Sequence, residues 1–192
     1  MQKRLKEYND SQLFALIKNK DVQEKEAFAE LYDRHSPRVY AYCRKFFHDN
    51  DKAKDAFQEV FIRFYQSLPK LEEMTNLPAF LIRITRNYCI SMKTQERDTV
   101  SFEDYMVQSE SFIKTMEQKE LLALVDMALG LIPEDMRDIL ILREYTGLSY
   151  LEIAEVSEDT IDNVKVKIHR ARKKVREILA PYMKELNLTN NK

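Results

Sequence analysis

Glycine is almost missing from this chain: there are 2 in 192 residues, beside 5 prolines, 2 cysteines and no tryptophan. So little turn-forming material argues against a β-sandwich or barrel and leaves helices as the default. Cys43 and Cys89 are too few for the disulfide framework of a small secreted domain. No apolar run approaches the roughly 18 residues that cross a bilayer, and no secretory signal is seen. The expectation is a cytoplasmic protein with reduced thiols and no membrane role.

Signatures of catalysis are lacking too. His35, His48 and His169 are not spaced as metal ligands with the two cysteines, no Gly-rich loop could cradle phosphate, and no Ser/His/Asp arrangement stands out. We therefore expect no enzyme, no catalytic residue, no metal and no cofactor. An excess of one charge is also absent, since 31 Lys and Arg oppose 32 Asp and Glu. That balance is an average over sorted blocks: +4 over residues 1–97, −4 over 98–118, −8 over 119–162 and +7 over 163–192. Phosphate responds to the field within a Debye length of roughly 8 Å, so the basic end can face nucleic acid in a neutral chain.

What is present is helical periodicity. Asp21 and Glu24 suit an N-cap pair, followed by Ala27, Phe28, Leu31 and Tyr32 on one face. Ser36 and Pro37 suggest a second start, with Val39, Tyr40, Tyr42, Cys43, Phe46 and Phe47 as the next apolar stripe. A third helix begins near Asp51 and carries Ala53, Ala56, Phe57, Val60, Phe61 and Phe64. After a loop over 71–77, Pro78 opens a fourth with Phe80, Leu81, Ile84 and Tyr88 inward. The pattern fades over 98–114, where acidic and Ser residues gather, as in a linker. Thr115 and Gln118 can cap a helix through Leu129, and Ile139, Leu140 and Leu142 give the next one its face up to Thr146 and Gly147. Ser149 and Glu152 form a capping box for a short helix with Leu151, Ile153 and Ala154. The last helix spans about 163–180, ended by Pro181. The expected fold is all-α: two small helical domains, 10–97 and 115–183, joined by an acidic flexible linker at 98–114.

A short capped helix, a brief turn and a longer basic helix follow the order of a helix-turn-helix. A helix about 10–12 Å across fits a major groove about 12 Å wide. With Val164, Ile168 and Val175 inward, the cationic side chains must occupy the outer surface; 7 of the residues 163–176 are Lys or Arg and none is acidic. Asn163, Lys165, Val166 and His169, at its start, are the better candidates for reading bases. The later Arg and Lys suit phosphate. A plain solvated basic face is the alternative.

The arrangement resembles a group 4, or extracytoplasmic-function, bacterial sigma factor. LIPEDMRDILILREYTGLSYLEIAEV followed by NVKVKIHRARKKV is similar to region 4, which recognises the minus-35 element. FAELYDRHSPRVYAYCRKFF resembles region 2.1, DKAKDAFQEVFIRFY region 2.2, and FLIRITRNYCISMKTQER the helix that meets the minus-10 element. The resemblance implies core RNA polymerase as partner, through its largest-subunit clamp helices and its flap, together with promoter DNA and an anti-sigma factor. It assigns Asp55, Gln58 and Glu59 to the clamp helices. Leu71 and Asn87 fall where a flipped minus-10 base is held, with Thr75 and Asn76 in the adjoining loop. Arg83, Arg86 and Lys93 would hold the melted strand. For the minus-35 element it implies Asn163, Lys165, Val166, Lys167, His169, Arg170, Lys173 and Lys174. The acids Asp98, Glu103, Asp104, Glu110 and Glu117 fall in the segment that would thread through the polymerase, although a tether would look alike. A rival reading is an autonomous helix-turn-helix regulator that binds DNA without being a polymerase subunit.

Overall fold

The computed structural model describes residues 5–47, 49–97 and 116–189, with backbone alone at 96–97, 116–119 and 184–189. The expected linker at 98–114, Thr115 and His48 lie outside the described residues, and so do the side chains of Glu117 and Gln118. Every regular element among the described residues is helical. The chain divides into two compact units, Met1–Tyr105 and Met106–Lys192.

The first unit holds α1 (Asp10–Lys18), α2 (Glu24–Phe47), α3 (Asn50–Ser67) and α4 (Leu77–Arg97), with a 3-10 turn at Leu68–Lys70. Helix α1, passed over in the sequence, opens on a capping box of Asn9 and Gln12 and buries Leu13, Phe14 and Ile17. Asp21 is not the N-cap of α2, which begins at Glu24; its Oδ1 accepts from the Gln23 N–H at 3.0 Å and its carbonyl from the Glu24 N–H at 2.9 Å, closing the turn into α2.

Helix α2 corrects the expected second start, for it runs unbroken through Ser36 and Pro37. Proline inside a helix removes one hydrogen bond and costs about 3 kcal/mol. Here Pro37 and Asp33, whose carbonyl loses its donor, both face solvent, where water can take up the carbonyl. A break would split the buried stripe of Leu31, His35, Val39, Tyr42 and Cys43, and burial of side chains of that size, at roughly 1.5–3 kcal/mol each, outweighs the proline penalty.

Helix α3 is capped by Asp49, whose Oδ1 accepts from the N–H groups of Asp51 (2.8 Å) and Lys52 (3.0 Å). It buries Ala53, Ala56, Val60, Phe61 and Phe64, while half-buried Phe57 meets Tyr32 and Tyr40 edge-on. The inward face of α4 differs from expectation. Leu81, Ile82, Thr85 and Cys89 are buried, whereas Phe80, Ile84 and Tyr88 are half-exposed. The sequence reading favoured large apolar residues over a threonine. Thr85 is admitted to the core because its hydroxyl donates to the Leu81 carbonyl at 2.8 Å. Cys43 and Cys89 are free and buried, with their Sγ atoms 4.0 Å apart.

The second unit holds α5 (Met116–Leu131), α6 (Glu134–Thr146), α7 (Tyr150–Ser157) and α8 (Ile161–Thr189). Leu129, Ile132, Leu140 and Ala171 form a core flanked by Val125, Met136, Tyr145, Val175 and Ile178. Burial pushes the Tyr145 hydroxyl up to about 12. Gly147 ends α6 in the left-handed region at φ 72°, where a side chain would be strained. Helix α5 continues through Gly130, and α8 continues past Pro181 to Thr189 rather than ending at it. Pro181 and Glu177, four residues earlier, are both exposed, so water can again satisfy the carbonyl. Among the described residues, no helix is long and apolar enough to cross a membrane.

Candidate nucleic-acid interface

Helix α7 opens on the expected capping box. The Ser149 N–H donates to Glu152 Oε2 at 2.7 Å, and the Glu152 N–H donates to Ser149 Oγ at 3.2 Å. Ile153, Ala154 and Val156 are buried, but Leu151, expected with them, points outward. The helix ends at Glu158 in the left-handed region at φ 57° without the aid of glycine. The next residue offsets that strain. Asp159 Oδ1 accepts from the Thr160 N–H (2.7 Å) and the Asn163 amide (2.9 Å), and Oδ2 accepts from Lys167 Nζ (2.8 Å). Lys167, then Asn163 and Thr160, hold the Asp159 carboxyl down at about 2. Thr160 Oγ1 accepts from the Asn163 N–H at 3.2 Å and caps α8.

This turn aims α8. Val164, Ile168 and Ala171 face the core, so Asn163, Lys165, Val166, His169, Arg170, Lys173 and Lys174 are exposed on one continuous surface. Lys167 differs from them: it is half-buried and turned to Asp159. Arg172 donates from Nη2 (2.6 Å) and Nε (2.9 Å) to Glu144 Oε1, tying α8 to α6. Tyr150, under the Arg143 guanidinium, lines a cleft of about 400 Å³ with Lys165, His169, Arg172, Lys173 and Arg176. Sequence reasoning missed the Asp159 hub. Its only signal was an Asp and a Thr directly before a basic helix.

In the first unit the candidate residues lie on three elements. Asp55 and Gln58 are exposed on α3; Glu59 accepts from Arg63 Nε at 2.8 Å, and the Arg63 guanidinium covers the Tyr88 ring at 4.5 Å. Leu71 is half-buried behind the 3-10 turn and Thr75 is exposed. Asn76 is the cap of α4: its Oδ1 accepts from the Ala79 N–H and its carbonyl from the Phe80 N–H, both at 3.1 Å. The loop is pinned to α1, because Ser11 Oγ donates to the Met74 carbonyl (3.1 Å) and Lys18 Nζ to that of Glu72 (2.7 Å). Arg83 and Asn87 stand one turn apart on the exposed face of α4, with Arg86 half-buried between them. Lys93 rests over the Phe46 ring at 5.6 Å. The helical rise sets Asn87 roughly 16 Å along the axis from Asn76, so the cap and the amide are separate points of the surface.

Residues 31–99 match the family model described as Sigma-70 region 2, and residues 122–175 the one described as Sigma-70, region 4. The chain is 29% identical to the RNA polymerase sigma-H factor of Pseudomonas aeruginosa, over 94% of this chain and 99% of that protein. It is 28% identical to the ECF RNA polymerase sigma-E factor of Haemophilus influenzae, over 88% and 96%. Among solved structures, CnrH in complex with the cytosolic domain of CnrY is similar at a TM-score of 0.70 and 23% identity, covering 90% of this chain and 97% of that one. The sigma factor RpoE, in complex with the anti-sigma factor NepR from Bartonella quintana, is similar at a TM-score of 0.67 and 24% identity, covering 81% and 98%.

Proposed function

The chain belongs to the sigma-70 family, and on that premise we propose that it is an extracytoplasmic-function sigma factor, which binds core RNA polymerase and directs promoter recognition and opening. One observation carries the reading: both family regions occur in order in one chain, the second presenting an exposed cationic helix face behind a capped turn. The domain with α1–α4 spans 10–97, the acidic linker 98–114, and the helix-turn-helix domain 115–183. The protein works in the cytoplasm, where polymerase and promoter are.

Asp55, Gln58 and Glu59 present oxygen acceptors to the clamp helices of the largest subunit, and the second domain meets the flap. Asn163, Lys165, Val166, Lys167, His169, Arg170, Lys173 and Lys174 serve the minus-35 element. Lys167 acts at one remove, by fixing Asp159 and the angle of α8. If about four of these cations neutralise phosphates, log K falls with log salt at a slope of roughly −3.6. At the minus-10 element Leu71 and Asn87 hold the flipped base, Thr75 and Asn76 meet the strand at the loop end of α4, roughly 16 Å along the axis from Asn87, and Arg83, Arg86 and Lys93 hold the strand. Opening costs about 1.4 kcal/mol of stacking per step, part of which base capture offsets. None of this requires covalent chemistry from the chain.

The complex of RpoE with its anti-sigma factor supports a similar regulator here. The test mixes core polymerase with a promoter library, with and without the chain. Specific initiation only with the chain is the expected result. Specific DNA binding without any affinity for core would overturn the reading and leave an autonomous regulator in its place.

A further inference from the structure

Residues 163–176 carry no acid, yet the first turn of α8 carries a carboxylate, Asp162, with its side chain 91% exposed. Taking about 100° per residue and Val164 as inward, Asp162 falls roughly 160° from the core direction. It therefore shares the outermost line of α8 with Val166, His169 and Lys173, and Val166 is itself 44% exposed. This line is the one a groove would meet first.

Two aspartates flank the start of α8, and their surroundings differ. Asp159 has both oxygens engaged by Thr160, Asn163 and Lys167. Asp162 gives only Oδ1, to Lys165 Nζ at 3.1 Å, in an exposed i,i+3 pair. Such a pair contributes little to stability, but it orients the carboxylate and offsets its repulsion from phosphate. Oδ2 is left as an acceptor on the outer line. In the major groove a carboxylate finds its match in the N4 amino group of cytosine, and an exposed aliphatic side chain finds one in the thymine methyl.

Resting on the promoter-binding reading above, the geometry points to Asp162 and Val166 as specificity-determining residues: Asp162 accepts from a cytosine N4 amino group, and Val166 packs on a thymine methyl. Four residues of helix rise about 6 Å, and base pairs stack about 3.4 Å apart, so the two bases lie one or two steps apart in the minus-35 element.

The experiment assembles holoenzyme from core polymerase and the full chain and sequences what it retains from a library randomised over the minus-35 element. Wild type enriches cytosine at one position, with thymine one or two steps away. Asp162→Ala lowers the cytosine preference roughly tenfold at that position and leaves the others intact; Val166→Ala does the same for thymine alone. Asp162→Asn moves the preference at that position towards adenine, the usual partner of an amide. A carboxylate that served only the helix dipole would alter stability without altering any single base preference. An unchanged profile in Asp162→Ala, an equal gain in affinity for all sequences, or no cytosine enriched by wild type would overturn the inference. A wild-type holoenzyme that selects no promoter at all would overturn the sigma reading beneath it.

Discussion

The two units solve the problem of presenting polar side chains in opposite ways. In the second, one helix supplies nearly every candidate residue, and its inner stripe of Val164, Ile168 and Ala171 leaves the outer face free. In the first, the candidates belong to α3, the loop after it and α4, and several also hold the fold: Asn76 caps α4, Lys93 rests on Phe46, and Glu59 accepts from Arg63. Apart from Asn163 and Lys167, which hold Asp159, a substitution among the α8 candidates can therefore be read as a binding effect, whereas one in the first unit must be separated from its structural cost.

Breaking the core of one unit is the harshest test of that contrast. Phe64 is 1% exposed and stacks or tilts against Phe28 and Phe80. Phe64→Ala should cost about 3–5 kcal/mol. Segment-resolved hydrogen exchange should show α1–α4 losing protection while α6–α8 keep theirs. Loss in both would mean that the units fold as one.

Acid should separate them next. His35 is buried on α2 and its Nε2 lies 2.8 Å from Asp10 Oδ2. Burial pushes the imidazole below its usual 6.5, against the attraction of Asp10, with Arg38 and Arg34 adding to the fall. A histidine lowered in the folded state gives stability that is complete above the unfolded value and lost as pH drops through it towards the folded one. The first unit should therefore weaken as pH falls below 6.5. In the second, Asp159 lies at about 2 against an ordinary 3.8, so its stabilisation is present above 3.8 and goes only as pH falls to about 2. Thermal melts against pH, followed segment by segment, should show this order; Asp159→Asn should remove the lower window.

A smaller effect distinguishes cap from contact. Asn76→Ala should cost about 1 kcal/mol of α4 stability, and Asn76→Asp, which keeps the accepting oxygen, should restore it. If Asn76→Asp also restores promoter opening, the cap is what opening requires of this position. The mildest change in stability, within about 0.5 kcal/mol, is expected for Lys165→Ala with Arg170→Ala. That pair should still weaken promoter binding and, through the loss of the phosphate contact of Arg170, reduce its salt slope by about 0.9 while sparing affinity for core.

How much was legible in the sequence follows the same division. The α7 capping box, the stop at Gly147 and the inner stripe of α8 are local and periodic, so spacing alone identified them. The misjudged features are those in which tertiary packing overrides a local signal. Pro37 and Pro181 read as boundaries because their cost is local, while the continuous face or the hydrated carbonyl that offsets it is not. Thr85 was passed over because its hydrogen bond to Leu81 exists only once α4 has formed. The roles of Asn76 and Asp159 depend on neighbours that only the folded turn brings together.

The division of labour is open to one direct measurement: initiation by holoenzyme on a minus-35-dependent promoter, as a closed duplex and again with the minus-10 region already unpaired. Asn87→Ala should initiate poorly on the duplex and recover most of its activity on the opened template, while the Lys165→Ala, Arg170→Ala pair should stay deficient on both. Equal recovery of both variants, or of neither, would contradict the assignment of opening to the first unit and placement to the second.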